Sequence, residues 1–84
     1  MFSKGSNVLI HTPTLYWCGT VETDGGDYVT LRPAAWIADT GRYADAFRTG
    51  EFREVEPVPG AVTIYLGPGV VVVEWPHPVP TVQV

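Results

Sequence analysis

Apolar and polar positions alternate with a period of two along much of the chain, and that period belongs to strands. Residues 7–11 (NVLIH) form a short apolar run that Thr12-Pro13-Thr14 closes, because proline interrupts a hydrogen-bond ladder. Residues 15–22 (LYWCGTVE) place Leu15, Trp17, Gly19 and Val21 on one face and Tyr16, Cys18, Thr20 and Glu22 on the other. Asp24-Gly25-Gly26-Asp27 then predicts a hairpin turn, since adjacent glycines accept positive φ, and residues 28–33 (YVTLRP) return. Residues 34–38 (AAWIA) allow two readings: a continuation of that strand after a bulge at Pro33, or an irregular segment that buries Trp36 and Ile37. Residues 51–58 (EFREVEPV) alternate again. Residues 61–66 (AVTIYL) and 70–75 (VVVVEW) are two β-rich runs, and Gly67-Pro68-Gly69 between them predicts a second hairpin. The valine run is apolar on both faces, so burial between subunits is expected for it.

The period changes between Thr40 and Gly50. Tyr43 and Phe47 stand four apart, Ala44 and Ala46 permit close packing, and Gly50 suits a left-handed helix end. A helix over about 40–49 follows, with Asp39 or Thr40 as its cap. Alone it is too short to persist in water, so it must lie on the sheet. The expected fold is mainly β: a small antiparallel barrel or roll of five or six strands with one short helix. Residues 76–84 (PHPVPTVQV) extend as a proline-rich C-terminal arm, whose TVQV stretch is able to add as a strand to a neighbour. His77, between two prolines, is expected as an exposed ring or an interface contact.

Eighty-four residues make one domain, 1–84, with a marginal core of its own. Disulfides, a structural metal or self-association usually compensate for that. One cysteine, Cys18, excludes an internal disulfide; His11, His77 and Cys18 lie far apart without metal-ligand spacing, so no metal is expected. Self-association remains, and a homo-oligomer is the expected partner state. Met1-Phe2-Ser3-Lys4 leads into a polar turn and not into a long apolar segment, and the run 70–73 is too short to span a bilayer. An unpaired cysteine suits a reducing compartment, so no membrane partner and a cytoplasmic setting are expected.

The net charge of −4 argues against a general grip on DNA or RNA, which relies on lysine and arginine against phosphates. Arg32, Arg42, Arg48 and Arg53 nevertheless cluster between residues 32 and 53. Such a cluster in an acidic chain suits a small anionic ligand better than a polymer, unless it serves only to pair with Asp39, Asp45, Glu51 and Glu54. The candidate ligand site is Arg32, Trp36, Thr40, Gly41, Arg42 and Tyr43. The free N–H groups and dipole of the helix start form an anion site, glycine lets a ligand approach the backbone, Arg42 offers a bidentate contact, and Tyr43, Trp36 or Trp75 offers a stacking surface. The competing reading is a plain helix cap with Arg42 paired to Asp39 or Asp45. No nucleophile motif, phosphate loop or metal motif is present; a Cys18–His11 pair across adjacent strands is the remaining catalytic arrangement, against the commoner role of a strand cysteine as a small buried hydrophobe. No enzyme activity and no cofactor are expected.

Three stretches together, "YWCGTVE", "AAWIADTGRYADAFRTGEFREVEPVPG" and "WPHPVP", resemble a family of small bacteriophage proteins of unassigned function over roughly residues 8 to 80. The resemblance implies a phage origin, with the host cytoplasm or the virion as setting, and carries over no catalytic residue. Three roles suit that setting. One is a sponge that sequesters a nucleotide signal of bacterial immunity. Another is a virion or assembly component locking subunits through strands and the proline-rich arm. The third, an acidic mimic of nucleic acid, suits a chain with massed carboxylates, whereas these are spread.

Overall fold

The computed structural model describes residues 2–84. In chain order the elements are β1 (Asn7–His11), β2 (Tyr16–Asp24), β3 (Tyr28–Asp39), α1 (Tyr43–Thr49), β4 (Glu54–Val58), β5 (Val62–Tyr65) and β6 (Val71–Glu74). All pairings are antiparallel, in the order β4-β3-β2-β1-β6, with β5 paired to the first part of β3. The fold is thus mainly β with six strands and one short helix. The sheet is open, because β4 and β6 end it and do not pair with each other. An open sheet does not support the closed-barrel form of the expectation.

The β2–β3 hairpin turns at the expected residues. Gly25 N–H donates to Tyr28 C=O at 2.9 Å, and Gly26 holds a φ of 88° at the first central position of the turn. Asp24 braces it by accepting from Gly26 N–H at 2.9 Å. Residues 34–38 continue β3 after a bulge. Gly19 faces Ala34 and Val21 faces Leu31, so Arg32 and Pro33 together oppose Thr20. The bulge shifts side-chain parity, and therefore Leu31 and Ala34, three apart, reach the same core.

Alternation sends β1 to β3 into two cores, one on each face. Leu9, Cys18, Ala35 and Ile37 enter the first, which is covered by Ala46 of α1, Phe52, Trp75 and Val79. Val8, Ile10, Val21, Leu31 and Ala34 enter the second, together with Ile64 of β5. Gly67-Pro68-Gly69 does not close a hairpin: β5 pairs β3 and β6 pairs β1. Facing apolar rows decide the partners. Val72 lies opposite Ile10 and Ile64 opposite Val29, so each run covers the second core from a different side.

The arm folds back on its own chain. His77 Nε2 lies 2.6 Å from Phe47 C=O, so the ring is tied to α1 and is neither free nor reserved for a neighbour. Val79 is buried in the first core. Val84 exchanges main-chain hydrogen bonds with Val55 of β4 at 3.3 and 3.2 Å, and Gln83 donates to Glu56 at 2.8 Å. The TVQV stretch therefore pairs within the chain. Among the described residues, no helix is long and apolar enough to cross a membrane.

Candidate functional site

Helix α1 begins later than the pattern suggested, and the cause is Gly41. Its φ of 69° lies outside helical space, so the first helical residue is Tyr43 and the N-cap position falls to Arg42. Arg42 makes no side-chain capping bond. Neither Asp39 nor Thr40 caps the helix. Asp39 accepts from Gly41 N–H at 2.8 Å, and Thr40 Oγ1 donates to Gly41 C=O at 2.8 Å. Both side chains hold the turn instead of the helix. The same turn brings in Arg53, whose N–H donates to Asp39 C=O at 2.9 Å and whose Cβ lies 3.7 Å from where a Cβ on Gly41 would sit.

The candidate residues divide into two places. Arg32 sits at the β3 bulge, exposed, and its guanidinium pairs with Glu22 at 3.0 Å. It lies seven residues before Asp39 on one strand, roughly 20 Å away. Trp36 is half-exposed opposite Trp17 and Glu56. Its neighbours Ala35 and Ile37 face the core beneath α1, so Trp36 faces the other way. Thr40, Gly41, Arg42 and Tyr43 stay together. Asp45, the alternative partner for Arg42, is engaged by Arg48 at 3.4 Å. Among the described residues, the guanidinium groups of Arg42 and Arg53 have no ion-pair or hydrogen-bond partner.

Tyr43 leads from this turn into a cleft of about 260 Å³ lined also by Leu9, His11, Tyr16, Val71 and Val73. Cross-strand register builds its floor. His11 pairs with Tyr16 on one side and Val71 on the other, while Leu9 pairs with Val73 in the next row. His11 and Tyr16 stack with ring centroids 4.1 Å apart and planes within 9°. Tyr43, 43 % exposed, walls the opposite side and packs against Phe47 at 6.2 Å. The cleft is aromatic and apolar, with one imidazole at its rim, and unpartnered Arg42 adjoins Tyr43 in sequence.

Chemistry by a Cys18–His11 pair finds no footing. Register sets Cys18 opposite Leu9 and His11 opposite Tyr16. Burial also pushes the Cys18 thiol up to about 12, so it is not a thiolate near neutrality. A second cleft of about 310 Å³ is lined by Ser6, Asn7, Phe47, Glu74, Trp75 and Pro76. Trp75 stacks on Phe52 at 5.0 Å and meets Phe47 and His77 edge-on, and among the described residues its buried indole N–H has no hydrogen-bond acceptor.

Sequence reasoning did not reach His11, Tyr16, Val71 and Val73 as one floor, nor Arg53 beside Gly41. The cleft depends on β6 pairing with β1, a contact some sixty residues apart in the chain. Arg53 carried a signal in its position just beyond Gly50, where the chain returns to pair with Asp39. No protein-family model, curated protein or solved structure matches the chain.

Proposed function

We propose that this protein binds a small anionic nucleotide without transforming it, and that it serves a bacteriophage as a sponge for a nucleotide signal of host immunity. One observation carries the reading: Tyr43 walls an aromatic cleft while the adjoining Arg42 has no side-chain partner among the described residues. A planar base suits the space between Tyr43 and the His11–Tyr16 stack. A volume of about 260 Å³ accommodates a base and excludes a whole dinucleotide, so the phosphates belong outside, with Arg42 and Arg53. Asp39 opposes this, because its carboxylate already holds Gly41 N–H. The arginine side chains, and not the helix terminus, are therefore the anion contacts in this proposal. The sponge acts as a homo-oligomer in the host cytoplasm.

The test is native mass spectrometry of the purified protein, followed by thermal shift against cyclic and ADP-ribose-derived nucleotides. A ligand at a hundred times its dissociation constant stabilises by about 2.7 kcal/mol. Tyr43→Ala and Arg42→Ala should each remove the shift while leaving the unliganded melting temperature within a few degrees. Absence of any nucleotide shift, with the protein found in purified virions, would sink this reading and favour the second one. That second reading is a virion or assembly component, and it rests on the strand-like pairing of Val84 with Val55, which is the kind of contact that locks subunits when exchanged.

A further inference from the structure

Antiparallel pairing turns alternate residues of a strand toward each neighbour, so the unused main-chain groups of an edge strand follow from its register. Trp75 N–H donates to Asn7 C=O at 2.9 Å, so Val73 and Val71 bond inward to β1. The N–H and C=O groups of Val72 and Glu74 consequently point outward. At the other end of the sheet the same alternation turns Val55 and Pro57 of β4 outward. Val55 is taken by Val84, and Pro57 has no N–H to offer. That edge is closed.

The β6 edge is not. Among the described residues no hydrogen bond reaches the outward groups of Val72 and Glu74. Residues 71–74 (VVVE) contain neither proline nor lysine, carry a charge only at their last residue, Glu74, and leave Val71 53 % exposed. The outer edge of β5 is also free, but it turns Thr63 and Tyr65 outward and not a valine run.

We propose that β6 is the interface for a second copy of this chain, which adds its own β6 antiparallel about a two-fold axis through Val72. Charge selects this register. Centring the pair on Val73 would set the two Glu74 carboxylates on one face as diagonal neighbours, roughly 7–8 Å apart. Centring it on Val72 moves them to opposite ends, roughly 14 Å apart, beyond a screening length of about 8 Å. Val72 then pairs with its own copy and Val71 with Val73 of the second copy, while each Glu74 falls opposite Val70 of the other copy, just beyond the end of its strand. Val71 and Val73 also floor the aromatic cleft, so the valines of the second copy continue that floor across the axis. The functional sense of the interface rests on reading the cleft as a ligand site, but the assembly itself is read by mass and needs no ligand.

The experiment is native mass spectrometry and sedimentation velocity on the full chain at micromolar concentration, with three variants. The unmodified protein should be a dimer. Val72→Pro removes an outward N–H, a position where an edge strand tolerates proline, and should give a monomer with unchanged circular dichroism. Val71→Lys should raise the dimer dissociation constant by roughly tenfold or more, the equivalent of one to two net hydrogen bonds. Thr63→Pro, on the β5 edge, should leave the dimer intact. If Val72→Pro fails to fold, Val71→Lys decides alone. A monomeric unmodified protein, a dimer that survives Val71→Lys, or a folded Thr63→Pro variant that is monomeric would each overturn the proposal. An unmodified protein that is monomeric yet still shows nucleotide shifts would overturn the interface while leaving the ligand reading standing.

Discussion

Gly50→Ala probes how α1 is tied to the arm. Gly50 ends the helix at φ 80°, and its N–H donates to Ala46 C=O at 2.7 Å. A side chain in that left-handed conformation costs about 1–2 kcal/mol by itself. Here it also has nowhere to go. A Cβ on Gly50 would lie 2.6 Å from Cγ, 2.8 Å from Cβ and 2.9 Å from Nδ1 of His77. The ring must move, which breaks its bond to Phe47 C=O, worth about 0.5–1.5 kcal/mol net, and loosens its edge contact with Trp75, worth about as much. The whole cost is about 2–5 kcal/mol, or roughly 10–30 °C of melting temperature for a domain of this size. His77→Gly removes the obstacle, and in that background Gly50→Ala should cost only the backbone share of about 1–2 kcal/mol. Thermal and urea unfolding of the four proteins of the cycle give the coupling directly. Equal costs in both backgrounds would refute the seating of His77 on Gly50.

Two further outcomes follow from the cores. Burial holds the Cys18 thiol at about 12 against an ordinary 9.0, so the unfolded chain loses this proton first. Stability from this source is full below about pH 8–9 and falls above it by up to about 1.4 kcal/mol per pH unit until the folded thiol ionises; urea midpoints between pH 7 and about 10.5 should drop more steeply for the parent than for Cys18→Ala, and parallel slopes would contradict this. Gly19→Ala would place a Cβ 2.7 Å from Leu31 Cβ, which the β3 backbone fixes in place, and 3.0 Å from the main-chain oxygen of Pro33. Overpacking of about 1–3 kcal/mol should lower the melting temperature, whereas no change would show slack between β2 and β3.

What the residue pattern disclosed was local. The Asp24–Asp27 turn, the alternation of β2 and the glycine end of α1 depend on neighbours in sequence, and each is where the pattern placed it. The bulge at Pro33 was one of two readings, and the pairing of Gly19 with Ala34 and of Val21 with Leu31 decides between them. The partners of β5 and β6 were not legible, because a Gly-Pro-Gly turn signal is outweighed by apolar rows on β1 and β3. The helix start was misplaced for a related reason. Asp39 and Thr40 are good capping residues, but Asp39 is held in the β3–β4 ladder and Gly41 turns the chain before any helix can begin. The arm, with three prolines, was expected to reach outward. Its single fully apolar anchor, Val79, and the acceptor offered by Phe47 draw it back across α1 instead.

Two cores on opposite faces would ordinarily invite two independent melting steps. Here β1, β2 and β3 feed both. Leu9 enters one core while Val8 and Ile10 enter the other, Cys18 and Val21 divide likewise along β2, and β3 commits Leu31 and Ala34 to one and Ala35 and Ile37 to the other. The three strands cannot part without emptying both cores. The central ladder therefore behaves as one cooperative unit, whose amides exchange with solvent only through global opening, while α1 with the arm on one side and β5 on the other are the parts free to open first.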